Sequence, residues 1–143
     1  NGGKSIHSFI YAGDVASAIV RILSLSRSKG SEEFNLAIPQ ATTSRGFVDL
    51  ASEVCGIEPI VVSYQPEEFQ IDTLNFDLKN VAFPFPENNA YLSSEKILTR
   101  LGFAPAYDLK SMLAEYYEWW MKGSNKAPKE YPLENRIKEA LGR

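Results

Sequence analysis

Acidic side chains are plentiful, but two chemistry-bearing types occur once each. His7 is the only imidazole and Cys55 the only thiol among the 143 residues. A nucleophilic cysteine needs a base beside it, and His7 stands far from Cys55 in sequence. Cys55, between Val54 and Gly56, reads instead as a small buried hydrophobe. A histidine within a strand-like run reads first as a packed or surface residue. No pair of Cys or His has metal-ligand spacing. There is no G-x-x-x-x-G-K-[ST] phosphate loop, no G-x-G-x-x-G after a strand, and no G-x-S-x-G turn to raise a serine nucleophile. Asp14, Asp49 and Asp108 stand where helix caps and solvated faces account for them. One histidine still allows a Ser–His–Asp set, which no G-x-S-x-G turn supports.

The elements that would position these residues are legible from periodicity. "SIHSFIYA", residues 5–12, reads as a mostly buried strand. Asp14 is placed to cap the helix that follows, with Val15, Ala18, Ile19, Ile22 and Leu23 on one face and Gly30 as its breaker. Residues 33–38 read as a short buried strand stopped by Pro39. A second helix should start at a Thr43 or Ser44 cap, pack through Phe47, Leu50, Ala51 and Val54, and close at Gly56. Residues 57–65 read as another strand, with Pro59 early in it marking an edge or a strand start. Periodicity is then lost across residues 66–89, a stretch long enough to be functional or to hold short elements of its own. A short helix follows, capped by Ser93 or Ser94, packed by Ile97, Leu98 and Leu101, and ended by Gly102. The last strong helix is capped by Asp108, with Leu109, Met112, Leu113, Tyr116 and Trp120 on one face. In "YYEWW" the aromatics fall at core or interface spacing. A loose linker and a short terminal helix complete an α/β order.

A hydrophobic content of 44% marks a globular chain, and the net charge of −3 argues against a general nucleic-acid-binding surface. The charge is uneven: residues 122–143 carry six Lys/Arg against three Glu, a local +3 on an otherwise acidic chain. No apolar run approaches the length of a membrane span, no secretory leader is read at the start, and a lone cysteine suits a reducing compartment, so the expectation is a cytoplasmic protein.

Four segments, in order, resemble motifs of the extended short-chain dehydrogenase/reductase family, the NAD-dependent epimerases and dehydratases. "FIYAGDVASAIVRIL" resembles the family's F-[IV]-[HY]-V-x-D-[VL]-A-x-A segment, which lies about two-thirds along its members. "EEFNLAI" resembles E-x-[YF]-N-[LV], and "TTSRGFVDLASEVCG" resembles T-x-x-E-L-x-x-x-[IA]. "YLSSEKILTRLGFAPAYDLKSMLAEYYEWW" resembles the closing D-x-S-K…L-G-[WF]-x-P…W pattern. The resemblance implies the C-terminal part of a Rossmann-type fold, a small mixed sheet with packed helices. It implies a substrate-binding region over residues 1–121 and a basic extension over 122–143. The family's glycine motif is absent, and no tyrosine is followed four residues later by lysine, so the catalytic Y-x-x-x-K is absent too. NAD(P) would belong to the parent protein, and this chain by itself should bind no cofactor and be inactive.

The partners that the resemblance implies are a dinucleotide-binding domain N-terminal to this region, a small-molecule substrate such as a nucleotide-sugar, and a second copy of the chain. His7, Ser8, Asn89 and Tyr91 hold the family's substrate-facing positions. Sugar-nucleotide members often carry Arg-Asp where His7 and Ser8 stand, and a neutral imidazole is a poor replacement for a bidentate guanidinium. Ser93 stands where D-x-S-K has Asp. The segment 64–103 and the extension "KAPKEYPLENRI" resemble the atypical branch that includes chloroplast stem-loop RNA-binding proteins. That makes RNA an alternative partner, for which only residues 122–143 offer basic charge. A third alternative is a structural domain whose "YYEWW" aromatics pack on another part of the fold. A surface left bare in that way should make the chain self-associate.

Overall fold

The computed structural model describes residues 2–24, 31–61 and 88–123, together with positions 135 and 139. Its elements are β1 (Ile6–His7), α1 (Ala12–Leu23), β2 (Thr42–Thr43), α2 (Ser44–Cys55), α3 (Glu95–Leu101) and α4 (Leu109–Lys122). The expected linker and basic extension beyond residue 123, the Gly30 breaker, and most of the irregular stretch before Asn89 lie outside the described residues.

β1 is the hub. It pairs antiparallel with β2, Ile6 opposite Thr43 and His7 opposite Thr42, and His7 forms a parallel bridge with Ala90. The sheet is thus small and mixed, as the α/β reading expects, but the ladder is far shorter than residues 5–12. Beyond His7 the chain remains bonded without forming a ladder: Phe9 O accepts from Ile38 N at 2.7 Å.

Residues 33–38 form no strand, and the reason is a side chain. Ser94 Oγ accepts from Ala37 N at 2.7 Å and donates to Ala37 O at 2.8 Å, taking the place of a neighbouring strand's backbone. Lys96 Nζ donates to Glu33 O at 2.7 Å and stands 4.9 Å from the Phe34 ring centroid, so the segment lies along α3 rather than in the sheet. No strand is found over residues 57–61 either, and residues 62–65 lie outside the described set.

Helix ends follow local chemistry at most positions. Thr43 caps α2, its hydroxyl accepting from Gly46 N at 3.0 Å, and Asp108 caps α4, accepting from Ser111 N at 2.8 Å. Gly56 and Gly102 close α2 and α3 in the left-handed region, at φ 65° and 58°. Gly46 must stay small: a Cβ there would stand 2.5 Å from Thr42 Oγ1, inside the cap.

α1 departs from expectation. It starts at Ala12, and its N-cap is Tyr11, not Asp14. Asp14 is only 4% exposed and reaches across the fold, its two oxygens accepting from Ala106 N at 3.0 Å and Tyr107 N at 3.3 Å. One turn from the other end, Arg21 donates to Leu101 O and Gly102 O, the free carbonyls at the end of α3. These two polar anchors set the rotation of the helix. Ala18 and Ile22 turn inward onto Ile97, Leu101 and Phe103, with Phe34 and Leu36 around them. Ile19 and Leu23, expected on the packed face, are exposed.

Two other packing expectations shift. Leu98 is exposed while Ile97 is fully buried. On α4, which packs against α2, Leu109 is buried and Met112 and Leu113 are half-buried, but Tyr116 and Trp120 are exposed. The apolar stripe runs on past its cover among the described residues. Phe9 stacks on Phe47 at 4.9 Å, joining the end of β1 to α2, and Cys55 is half-buried in the last turn of α2 rather than buried.

Two outcomes follow. Asp14→Ala leaves two inward-facing amides without an acceptor and should lower the unfolding free energy by about 2–3 kcal/mol, read from urea denaturation. Hydrogen exchange at Ala106 and Tyr107 should rise with it. Asp108 is held below the usual carboxylate range by its bonds from the Ser111 hydroxyl and amide. A depressed carboxylate stabilises the fold above its unfolded pKa and stops doing so as pH falls through its lower folded value. The stability gap between the native chain and Asp108→Ala should therefore be constant near neutrality and shrink below about pH 3.9.

Candidate functional site

The parallel bridge between His7 and Ala90 brings the four candidate residues together across more than 80 positions of sequence. Ser8 N donates to Ala90 O at 2.9 Å and Ala90 N donates to Ile6 O at 2.7 Å. Side chains seal the same seam. Asn89 Oδ1 accepts from Ile6 N at 2.9 Å, and Ser8 Oγ accepts from Leu92 N at 2.9 Å.

The pleat then divides the four. Bridge partners point to the same face of a sheet and their chain neighbours to the other. His7 and Ala90 share one face; Ile6, Ser8, Asn89 and Tyr91 share the opposite one. His7 is 8% exposed and Tyr91 62% exposed, while Ser8 is half-buried and Ala90 is exposed at the end of the bridge. On its own face, His7 Nε2 lies 3.0 Å from the buried Ser44 Oγ, at the first residue of α2. His7 therefore ties β1 to the start of α2.

On the outer face, Ser8, Asn89 and Tyr91 each keep hydrogen-bonding capacity after the seam is closed. Asn89 and Tyr91 are exposed and Ser8 is half-buried; each carries a donor that the seam does not use, with Ile6 and Leu92 exposed beside them. Neutral donors around an apolar patch suit an acceptor-rich ligand with a flat or aliphatic face. Sequence spacing gave no hint of this face; it depends on the register of Ala90 against His7.

A second cluster, unmarked in the sequence, joins α1 to α4. Tyr11 and Tyr107 pack with ring centroids 4.4 Å apart, and their hydroxyls donate to the two oxygens of Glu115, each at 3.4 Å. Gly13 makes room for it, since a Cβ there would meet the Tyr11 ring at 2.6 Å. Both phenols are raised above the ordinary value, Tyr11 first by desolvation and then by Glu115, Tyr107 first by the charge of Glu115. An open depression of about 310 Å³ is lined, among the described residues, by Arg21, Ser24, Arg100 and Leu101; Arg21 is engaged by Gly102 O and Arg100 by Glu32 at 2.7 Å.

The dinucleotide-binding part of the family depends on a glycine turn opening a helix after a strand. Among the described residues the positive-φ glycines are Gly2 and Gly3, ahead of β1, and Gly56 and Gly102, which end helices. None of them opens a helix after a strand, so these residues do not fit an NAD(P) pyrophosphate. No three His, Cys, Asp or Glu among the described residues are grouped to hold a metal ion, and no helix there is long and apolar enough to cross a membrane.

The tyrosine cluster predicts a spectroscopic result. Glu115→Gln should lower the titration midpoints of both phenols in an ultraviolet difference titration. Tyr107 should fall further than Tyr11, because the carboxylate is the leading cause only for Tyr107. Tyr→Phe variants assign the two midpoints.

No protein-family model matches the chain. It is similar to the chloroplast stem-loop binding protein of 41 kDa b from Arabidopsis thaliana, 31% identical over 119 residues, which cover 82% of this chain and 29% of that protein. Among solved structures it is similar to UDP-glucose 4-epimerase from Bifidobacterium longum in complex with NAD+ and UDP, with a TM-score of 0.65 and 17% identity over 87% of this chain and 32% of that one. A dTDP-glucose 4,6-dehydratase from Bacillus anthracis in complex with NAD gives a TM-score of 0.61 and 18% identity over 87% of this chain and 34% of that one. The chain thus spans about a third of the length of the proteins it matches. In sequence the chain is similar to part of the Arabidopsis protein, and in fold it is similar to about a third of these NAD-bound epimerase and dehydratase structures.

Proposed function

We propose that this chain supplies the substrate-facing surface of an NAD(P)-dependent epimerase/dehydratase-like oxidoreductase acting on a sugar-nucleotide or related substrate. The observation that carries this reading is the shared outer face of Ser8, Asn89 and Tyr91, built by the Ala90 bridge. Ser8, Asn89 and Tyr91 contact the ligand; His7, turned to Ser44, positions β1 from behind. Among the described residues there is neither a base–nucleophile pair nor a glycine turn opening a helix after a strand, and in this reading proton and hydride transfer belong to the part of such an enzyme that is N-terminal to this region.

Its chemistry is uncharged hydrogen bonding. The three donors can meet sugar hydroxyls, a carbonyl or phosphate oxygens, with Ile6 and Leu92 against an apolar edge. No guanidinium stands on this face among the described residues, so discrimination should come from the sugar side more than from the diphosphate.

A second reading, RNA stem-loop binding, is motivated by the name of the Arabidopsis relative. The charge pattern on the described surface does not favour it. Arg45, Arg100, Lys110 and Lys122 are each paired with a carboxylate, by Asp49, Glu32, Glu53 and Glu118. Phosphate recognition needs such cations unpaired and aligned.

One titration tests both readings. Nuclear magnetic resonance of the full chain with UDP-glucose should shift the Ser8, Asn89 and Tyr91 signals. Tyr91→Phe and Asn89→Ala should each weaken binding about three- to tenfold, the range of one lost hydrogen bond. Absence of shifts on this face at millimolar UDP-glucose sinks the sugar-nucleotide reading. Salt-sensitive shifts with a stem-loop RNA, in its place, would support the second.

A further inference from the structure

The rings of Tyr11 and Tyr107 lie with centroids 4.4 Å apart and an interplanar angle of 37°. Their hydroxyls converge on one carboxylate: Tyr11 donates to Glu115 Oε1 and Tyr107 to Oε2, each at 3.4 Å. The ortho carbons of a phenol flank its hydroxyl. Two hydroxyls gathered at one carboxylate therefore bring the ortho edges of the two rings side by side. The backbone holds them there. Asp14 accepts from Tyr107 N and Ala106 N, which fixes the Tyr107 end against the first turn of α1. Gly13 lacks the Cβ that would meet the Tyr11 ring.

The proposed ligand face makes no use of this cluster, but its parts suit one reaction. A phenol gives up an electron more readily when a positioned base takes its proton in the same step. Glu115 is exposed, so a proton it accepts passes on to water and leaves it ready for the second phenol. Both tyrosines are half-buried, which screens radicals formed there from a second molecule of the chain. Both phenols are raised above the ordinary value, Tyr11 first by desolvation and Tyr107 first by the charge of Glu115. At neutral pH each therefore carries the proton that an acceptor must remove. Tyr116 and Tyr117 are placed differently, lying against Trp119 and Trp120.

We infer that Tyr11 and Tyr107 form an oxidative coupling site, which a one-electron oxidant closes into a dityrosine cross-link with Glu115 as the proton acceptor. Each phenol loses one electron to the oxidant and its hydroxyl proton to Glu115, which releases it to water before taking the next. The two phenoxyl radicals pair their unpaired electrons in a C–C bond between ortho carbons. The hydrogen on each of those carbons then moves to its own oxygen and restores the phenol. Two phenols thus give one biphenol, two protons and two electrons. The electrons reduce two equivalents of a one-electron oxidant, such as a peroxyl radical or the ferryl haem of a peroxidase. The new bond ties the cap of α1 to the segment just before α4, the places that Asp14 already joins by hydrogen bonds.

The test exposes the full chain to tris(bipyridine)ruthenium, persulfate and brief light, which together generate a one-electron oxidant. Peptide mapping by mass spectrometry should find Tyr11 joined to Tyr107 within the monomer, two hydrogens lighter than the separate peptides and with the blue emission of dityrosine. This pair should dominate over every other pairing of the seven tyrosines. Unfolding in urea should cut its yield about tenfold or more, because the rings then meet only as distant parts of a flexible chain. Glu115→Gln keeps the size of the side chain but takes no proton, and should slow the coupling about tenfold. Its circular dichroism should match the native chain, since Glu115 is exposed. Tyr11→Phe and Tyr107→Phe should each abolish the cross-link. Coupling as fast in urea as in the folded chain would overturn the inference. So would a Glu115→Gln chain that couples at the native rate, or a dominant cross-link mapped to other tyrosines.

Discussion

The carboxylate of Asp14 sets the geometry around it. By accepting from the backbone of Ala106 and Tyr107, it holds the connection between α3 and α4 against α1. Arg21 does the same for the end of α3. Because α1 is apolar on two sides, hydrophobicity alone leaves its rotation undetermined. Directional bonds break the tie. They select Ala18 and Ile22 for the core with Ile97 and Phe103, and leave Val20 and Leu23 outside.

The same logic recurs through the domain. With ladders only two residues long, much of the cohesion is carried by side chains bonding to backbone. Ser94 stands in for a strand beside Ala37, Ser8 and Asn89 close the seam at Ala90, and Lys96 holds Glu33 O. Each bond satisfies a backbone group that a longer sheet would have paired. The outer face of Ser8, Asn89 and Tyr91 is the surface of one of these seams, which Ser8 and Asn89 hold closed.

This explains what could be read from the sequence. Caps and stops whose chemistry is local were legible: Thr43, Asp108, Gly56 and Gly102 act where their types and positions say they should. Asp14 fits the same local rule, yet a distant pair of amides outcompetes its own helix. Residues 33–38 have the composition of a strand, but strand composition cannot reveal that a serine nearly 60 positions later replaces the ladder. Periodicity puts Ile19 and Leu23 on one face of α1 with Ala18 and Ile22, and it carries no information about the distant amides and carbonyls that hold Asp14 and Arg21. At the site, the resemblance supplied the four residues, and only the register of Ala90 against His7 separated the inward imidazole from the outward donors.

The seam at Ala90 also has a temporal side. It joins residues 6–8 to residues 89–92, so the loop it closes spans most of the described chain. Closing a loop that long has an entropic cost that must be met before any contact inside it can repay it. α2 and α4 can begin from their own caps, whereas the face of Ser8, Asn89 and Tyr91 exists only after both ends of the loop have met. Ligand binding there would act as a reporter of completed folding, and a ligand present during folding would favour the closed loop over every state in which those ends remain apart.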